Sequence, residues 1–411
     1  MEGVVAEWDV EKRCGKIKQH RFDKKWFFVH YKAIMDGDTL NPDPGSIVTF
    51  STKAVRNKGY GSQVQASEVH GGFWSKSRGH LAKLGFDAGV QSPLVAQLIA
   101  REFADSATVC LTRSGPVGGY SKLKDGTAVA LQLPIYTPKP PGYKLEKDEW
   151  EASVSGPDAG IYERLSQILD PSEFQHVECL TDRNNLMKLL TFLDYERHIT
   201  DDRFVFKIDA HYKHGMLALE RVDLSDPQTG MPINHVLSYG FAYEREITTP
   251  SLQAEKHVVI QKIGLQGLQL LVRCEVDASA APDMQELMEI KTGNVNYRDA
   301  WYGWKKAAIQ MHLGGSAKLV MGWHNKGEVR REDVLSFEDV QSKAENYDKK
   351  FGALANLLRR IREISKMCEA LELIYSPPER GELGSEAELF VYGNLRWEFL
   401  PSSGSNYVRL F

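Results

Sequence analysis

Cysteine is scarce and unpatterned in this chain of 411 residues. The five, Cys14, Cys110, Cys179, Cys274 and Cys368, form no Cys-x-x-Cys pair and leave an odd count. That usage excludes a disulfide framework and a zinc knuckle, and it suits a reducing compartment. Long apolar runs are missing as well: no stretch approaches the roughly 20 apolar residues of a membrane span. The opening MEGVVAEWDVEKR has no secretory pattern. The expectation is an intracellular protein of nucleus or cytoplasm with no membrane partner. A large excess of either charge is also lacking. The net charge of −4 argues against wholesale attraction to nucleic acid, yet a local basic groove stays open. RSGPVGG at 113–119 and GYGS at 59–62 lack a P-loop lysine and read as turns. His211 and His214 fall in HYKHG with no cysteine nearby, and YKHG reads as a hairpin turn rather than part of a zinc site. No Gly-x-Ser-x-Gly elbow is present, SSGS at 402–405 included.

What is present is ordinary globular composition, 42% hydrophobic and 26% charged, in a chain long enough for a sizeable core and a smaller module. Residues 1–72 hold short strand-like runs, Gly3–Trp8, Gly15–Lys18, Trp26–Tyr31, Ser46–Ser51 and Gln63–Val69, between turn-rich pieces. That punctuation predicts a small β-barrel. Residues 73–105 read as a linker and connecting helix, with helix over Gly85–Ala104, and 106–411 as the main domain. Within it, helices are expected at Ile161–Leu169, Asn184–Phe192 and Asp299–His312. Strands are expected at Phe204–Asp209, Gly215–Val222, His257–Gly264, Gln269–Val276, Met284–Thr292 and KLVMGW at 318–323. Apolar residues at 351, 354, 357/358, 361 and 364 predict an amphipathic helix over Lys349–Lys366, its arginines on the solvated face.

The stretch CEVDASAAPDMQELMEIKTG at 274–293 sets Glu275, Asp277, Glu289 and Lys291 at apolar-flanked positions. In a strand, Glu275 and Asp277 would share one face, Glu289 and Lys291 likewise, with Val276 and Ile290 turned to the core. Carboxylates that close repel unless a positive charge lies between them. A divalent metal is the simplest candidate. Glu-x-Asp followed by Glu-x-Lys is the pattern of metal-dependent nucleases of the PD-(D/E)XK type. Carboxylate oxygens suit Mg²⁺, paired ions stabilise an in-line displacement, and the lysine adds charge beside the phosphate.

Two family resemblances extend this reading. GVVAEWDVEKRCGKIKQHRFDKKWFFVHYKAI, with GSIVTFSTKAVRNKGYGSQVQASEV after it, resembles a cold-shock domain through Gly3, Val5, Gly15, Ile17, Phe28-Val29-His30-Tyr31 and Lys58-Gly59. It implies an OB-type barrel that binds single-stranded RNA, with Trp8, Phe28, His30 and Tyr31 as stacking surfaces. Glu7, Cys14 and Lys16 replace aromatics, which weakens stacking. Residues 1–70 carry eleven Lys or Arg against nine Asp or Glu, a net of +2, so a barrel whose aromatics only pack is the competing role. Residues 183–310 resemble the DXO-type decapping exoribonucleases: Arg183 in DRNNLMKLL, Glu244 in YGFAYERE, then Glu275, Asp277, Glu289 and Lys291, then Gln310 in WYGWKKAAIQMHLGGSAKLVMGW.

That resemblance implies an α+β fold, a mixed sheet of the PD-(D/E)XK kind flanked by helices behind the small barrel. It also implies two Mg²⁺ or Mn²⁺ ions on Glu244, Asp277, Glu289 and the Ile290 backbone carbonyl, with Glu275 direct or through water. Lys291 and Gln310 would hold the scissile phosphate and attacking water, and Arg183 the RNA backbone. The activity implied is hydrolysis at an RNA 5′ end, removing defective or NAD-type caps or triphosphate, or digesting 5′→3′, with a 5′→3′ exoribonuclease as a further implied partner. The residues themselves leave other roles open: a helix cap for Arg183, an exposed strand carboxylate for Glu244, a backbone hydrogen bond for Gln310. An RNA-binding scaffold with an inactive nuclease domain and a DNA nuclease are the competing functions.

Overall fold

The computed structural model describes residues 2–9, 14–18, 26–33, 47–57, 61–71, 94–103, 111–123, 125–146, 160–194, 206–222, 239–249, 254–281, 286–296, 303–344, 346–375 and 388–395. The fold is mixed α+β with large mixed sheets and few helices.

Strands Glu2–Asp9, Cys14–Lys18, Trp26–His30, Ile47–Asn57 and Gly61–Gly71 close into a five-stranded barrel. Alternation in Trp26–His30 buries Phe27 and Val29 beside Ile17, Phe50 and Ala66, and leaves Phe28 and His30 partly exposed on the other face. Tyr31 has already left the strand for a 3-10 turn, Tyr31–Ala33. The side chains of Trp8 and Tyr31, and residues 58–60 with Lys58-Gly59, lie outside what the structure describes.

A ten-stranded sheet runs, in spatial order, Leu94–Ile99, Glu388–Leu395, Cys368–Tyr375, Phe206–Lys213, Met216–Val222, Cys179–Asp182, Leu268–Glu275, Ala254–Leu265, Leu111–Leu123 and Ala128–Ala130. Among the described strands of this sheet only Cys179–Asp182 pairs parallel, with both neighbours. A six-stranded sheet runs Thr248–Thr249, Ile135–Tyr136, Ala278–Ser279, Leu287–Asn294, Lys318–Asn325 and Glu328–Ser336. Its Leu287–Asn294 and Lys318–Asn325 pair parallel, as a crossover demands, with helix Trp304–Gly314 between them in sequence. His214 and Gly215, both at positive φ, close the YKHG hairpin as expected.

Helix Phe351–Met367 buries Phe351, Leu354, Leu357, Leu358, Ile361 and Ile364 in the main core, where they meet Leu186, Leu189 and Phe192 of helix Arg183–Leu193. A second core lies on one face of the six-stranded sheet and joins Ala242, Tyr243 and Ile247 of helix Gly240–Ile247 to Met288, Ile290 and Val320. Because strand residues alternate, burying Met288 and Ile290 there turns Glu289 and Lys291 to the opposite face.

Two expectations are corrected. Leu94–Ile99 is a strand and Ala100–Phe103 a 3-10 turn rather than the second half of a helix, since LVAQLI finds an antiparallel partner in Glu388–Leu395; residues 85–93 lie outside the described residues. RSGPVGG is part of the long strand Leu111–Leu123 rather than a turn. Its glycines serve close packing: a Cβ on Gly118 would come within 2.6 Å of Leu169, and one on Gly119 within 2.7 Å of the Val258 carbonyl.

Candidate active site

Four elements bring the candidate residues together. Arg183 opens its helix directly after the parallel strand Cys179–Asp182, so its side chain starts at the carboxyl edge of the sheet. Strand Leu268–Glu275 belongs to the ten-stranded sheet and Ala278–Ser279 to the six-stranded one, so Val276 and Asp277 form the corner between them. Strand Leu287–Asn294 supplies Glu289 and Lys291, helix Gly240–Ile247 supplies Glu244, and helix Trp304–Gly314 supplies Gln310.

The centre of the cluster is the Lys291 ammonium. Its Nζ donates to Glu289 Oε1 at 2.6 Å, to the Ile290 carbonyl at 2.9 Å and to Asp277 Oδ2 at 3.4 Å. The Ile290 N–H also donates to Asp277 Oδ2, at 2.7 Å. Glu289, 1% exposed, accepts on its other oxygen from Arg183 Nη1 at 2.8 Å. Arg183 reaches the Gln310 carbonyl as well, at 3.4 Å, and packs so close to Gly314 that a Cβ there would lie 2.8 Å from Nη1. The guanidinium is thus buried and aimed at Glu289. Asp182 stands at the N-cap without a side-chain cap bond; its carboxylate instead takes a bidentate pair from Arg273, at 2.8 and 3.0 Å.

Glu244 is on a helix, not a strand, and among the described residues no hydrogen bond or ion pair reaches its carboxylate. Burial, then the charges of Asp277 and Glu289, pushes Glu244 well above the usual carboxylate range, although Lys291 opposes them. Asp277 is raised for the same reasons, burial first and Glu289 next, against Lys291 and the Ile290 N–H. Glu289 goes the other way. Burial alone would raise it, but Arg183 and Lys291 together hold it below the ordinary value. Lys291 and Arg183 keep their protons more firmly than usual, because the surrounding carboxylates outweigh their burial.

Glu275 stands apart. The strand ends at Glu275, so the common face expected for Glu275 and Asp277 is lost at the corner. Its side chain is 51% exposed and pairs with Lys256 at 2.9 Å and Arg221 at 3.8 Å. Gln310 contributes a different signal: its side-chain Oε1 is buried and accepts no hydrogen bond from any described residue. Among the described residues no three His, Cys, Asp or Glu side chains converge closely enough to enclose a metal ion. The reason is visible at Lys291, whose ammonium stands between Asp277, Glu289 and the Ile290 carbonyl. The donor set itself suits a hard divalent ion: three oxygens already surround one cation, and Glu244 adds a carboxylate that no hydrogen bond or ion pair reaches among the described residues.

The sequence reading did not single out Lys306, an exposed lysine one helical turn before Gln310, or Glu332, which accepts from Tyr243 on the far face of the sheet. Helical spacing from Gln310 was the available signal for Lys306. Glu332 had none.

No family model matches the chain, and no curated protein matches it in sequence. Solved structures do match in fold. The S. pombe Rai1 structure in complex with 3′-FADP is 16% identical with a TM-score of 0.56, covering 73% of this chain and 99% of that one. Candida albicans Rai1 in complex with pU5-Mn²⁺ is 17% identical with a TM-score of 0.51, over 72% of this chain and 92% of that one. Scheffersomyces stipitis Rai1, in complex with (3′-NADP)⁺ and calcium ion, is 15% identical with a TM-score of 0.51, over 70% and 92%. The chain has the Rai1 fold, the fold implied by the DXO-type resemblance. Among the described residues no helix is long and apolar enough to cross a membrane.

Proposed function

We propose that this chain is a divalent-metal-dependent hydrolase of RNA 5′ ends, which removes defective or NAD-type caps or a 5′ triphosphate, or degrades the strand 5′→3′. The observation that carries this reading is the cradle of Asp277, Glu289 and the Ile290 carbonyl around a cation, with Glu244 beside it. Glu244, Asp277, Glu289 and the Ile290 carbonyl would hold Mg²⁺ or Mn²⁺. Two such ions, when bound, would supply Lewis acidity at the phosphate and a water of lowered pKa. Lys291 would then leave the carboxylates and turn to a phosphate oxygen, an exchange of one anionic partner for another. Gln310, with a buried amide oxygen to satisfy, would accept from the attacking water or a ribose hydroxyl. Arg183 would act by fixing the orientation of Glu289, and Glu275 would stay with Lys256 and Arg221. The Rai1 structures in complex with 3′-FADP and with pU5-Mn²⁺ support the substrate class by likeness of fold. The barrel would recruit single-stranded RNA through the outward face of Phe28 and His30, and a 5′→3′ exoribonuclease stays a candidate partner.

The test is incubation with RNAs bearing monophosphate, triphosphate, NAD, unmethylated cap and hydroxyl 5′ ends, in Mg²⁺ or Mn²⁺, with released products identified by mass. Wild type should release a product from at least one end, and Glu289→Ala from none. A second reading, an RNA-binding scaffold without turnover, is favoured by the absence among the described residues of a closed metal-ligand group. It predicts no product from any end and no effect of Asp277→Ala beyond stability. Matched 5′-phosphate DNA in the same assay separates the DNA nuclease.

A further inference from the structure

Helix Trp304–Gly314 carries two adjacent lysines with opposite situations. Lys305 pairs with Asp194 at 2.5 Å, tying its helix to the end of helix Arg183–Leu193. Lys306, exposed, makes no hydrogen bond or ion pair among the described residues. It stands four residues before Gln310, and side chains at that spacing lie on one helix face, about 5–6 Å apart at Cβ. The charges it feels are those of the candidate site. Its ammonium reaches solvent, yet partial desolvation by the protein around it comes first in lowering its pKa, then Lys291 with Arg183 adding to it, and Glu289 opposes them. An exposed ammonium whose electrostatic neighbours include two other cations, with no ion pair among the described residues, is a place where a phosphate is favourable.

We infer that Lys306 holds a second phosphate of the substrate chain, next to the one positioned at the Lys291 cluster, and so grips the strand one helical turn from Gln310. This rests on the proposed function only in taking a phosphodiester chain as ligand. One turn of helix then presents two contacts to successive parts of one strand, Gln310 inside and Lys306 outside. Lys305, already paired, contributes to fold and not to grip.

The test is fluorescence anisotropy of the full chain with a short 5′-phosphorylated single-stranded RNA in EDTA, titrated between about 50 and 200 mM salt. Lys306→Ala should weaken binding roughly fivefold to tenfold and reduce the slope of log affinity against log salt by about 0.7, the single-strand value for one phosphate contact. Lys306→Arg should restore both. Lys305→Ala should lower the melting temperature and leave the slope as in wild type. Equal affinity and slope for wild type and Lys306→Ala overturn the inference even where the wild type releases product. A lost slope in a protein that processes no RNA end supports it while the hydrolase reading falls. Wild-type protein that binds no RNA overturns the inference.

Discussion

The six-stranded sheet holds a carboxylate cluster on each face, and the two are built on opposite principles. Glu289 is held by two cations, Arg183 and Lys291. Glu332, on the other face, is held by two phenols: Tyr243 donates to Oε2 at 2.6 Å and Tyr136 to Oε1. Burial, followed by Glu332 itself, raises the pKa of both tyrosines. Tyr243 also lies flat against Gly322, where a Cβ would come within 2.4 Å of its ring. A phenol anchor has no cheap alternative partner, so it fixes the helix. An ammonium between carboxylates can trade them for a phosphate or give way to a metal ion. The neighbouring residues Tyr243 and Glu244 divide these tasks, one anchoring the helix and the other facing the cluster.

Breaking the ionic cluster should have the largest effect. Glu289→Ala leaves Arg183 buried without its partner and should cost about 3–5 kcal/mol in denaturant unfolding, besides abolishing product release. Lys291→Met should lower product release by about 100- to 1,000-fold. Mn²⁺ affinity, read by calorimetry, should hold or rise in that variant, because no ammonium competes for Asp277, Glu289 and the Ile290 carbonyl. Loss of Mn²⁺ binding would show that the ammonium supports the metal site rather than competing for it.

The pH dependence sharpens the same contrast. Glu244 and Asp277 have folded pKa values above their unfolded ones, so their contribution is unfavourable at neutral pH and recovers as pH falls toward those values. Glu289 is depressed, so its stabilisation is present above the unfolded carboxylate pKa and is lost as pH falls through the folded one. A metal that binds the deprotonated carboxylates should therefore raise the melting temperature by several degrees at about pH 7.5 and progressively less toward pH 5. A shift independent of pH would exclude Glu244 and Asp277 as ligands. The smallest effect belongs to the phenol anchor: Tyr243→Phe should cost about 1.5–3 kcal/mol, the loss of one hydrogen bond to a charged acceptor. A larger loss of product release than of stability would show that the anchor sets the position of Glu244.

Most strands of the two sheets were legible because their apolar residues recur at short period between turn signals, and helix Phe351–Met367 because its stripe has a clean helical spacing. Leu94–Ile99 was not, since a short apolar run gives no sign of a partner almost 300 residues away. The glycines of Leu111–Leu123 misled for a related reason: the same residue serves a turn or a close approach, and only the neighbours, Leu169 and Val258, tell which.

By itself the sequence determined the chemistry on offer at the site: a carboxylate, lysine and amide set in fixed order, on segments whose alternation requires Glu289 and Lys291 to share a face. That much follows from residue type and strand period, which are local. Tertiary structure decided who meets whom. It sent Glu275 to Lys256 and Arg221 and buried Arg183 against Glu289, because a chain turning between two sheets at Val276 and Asp277 redirects side chains in a way that no local period records.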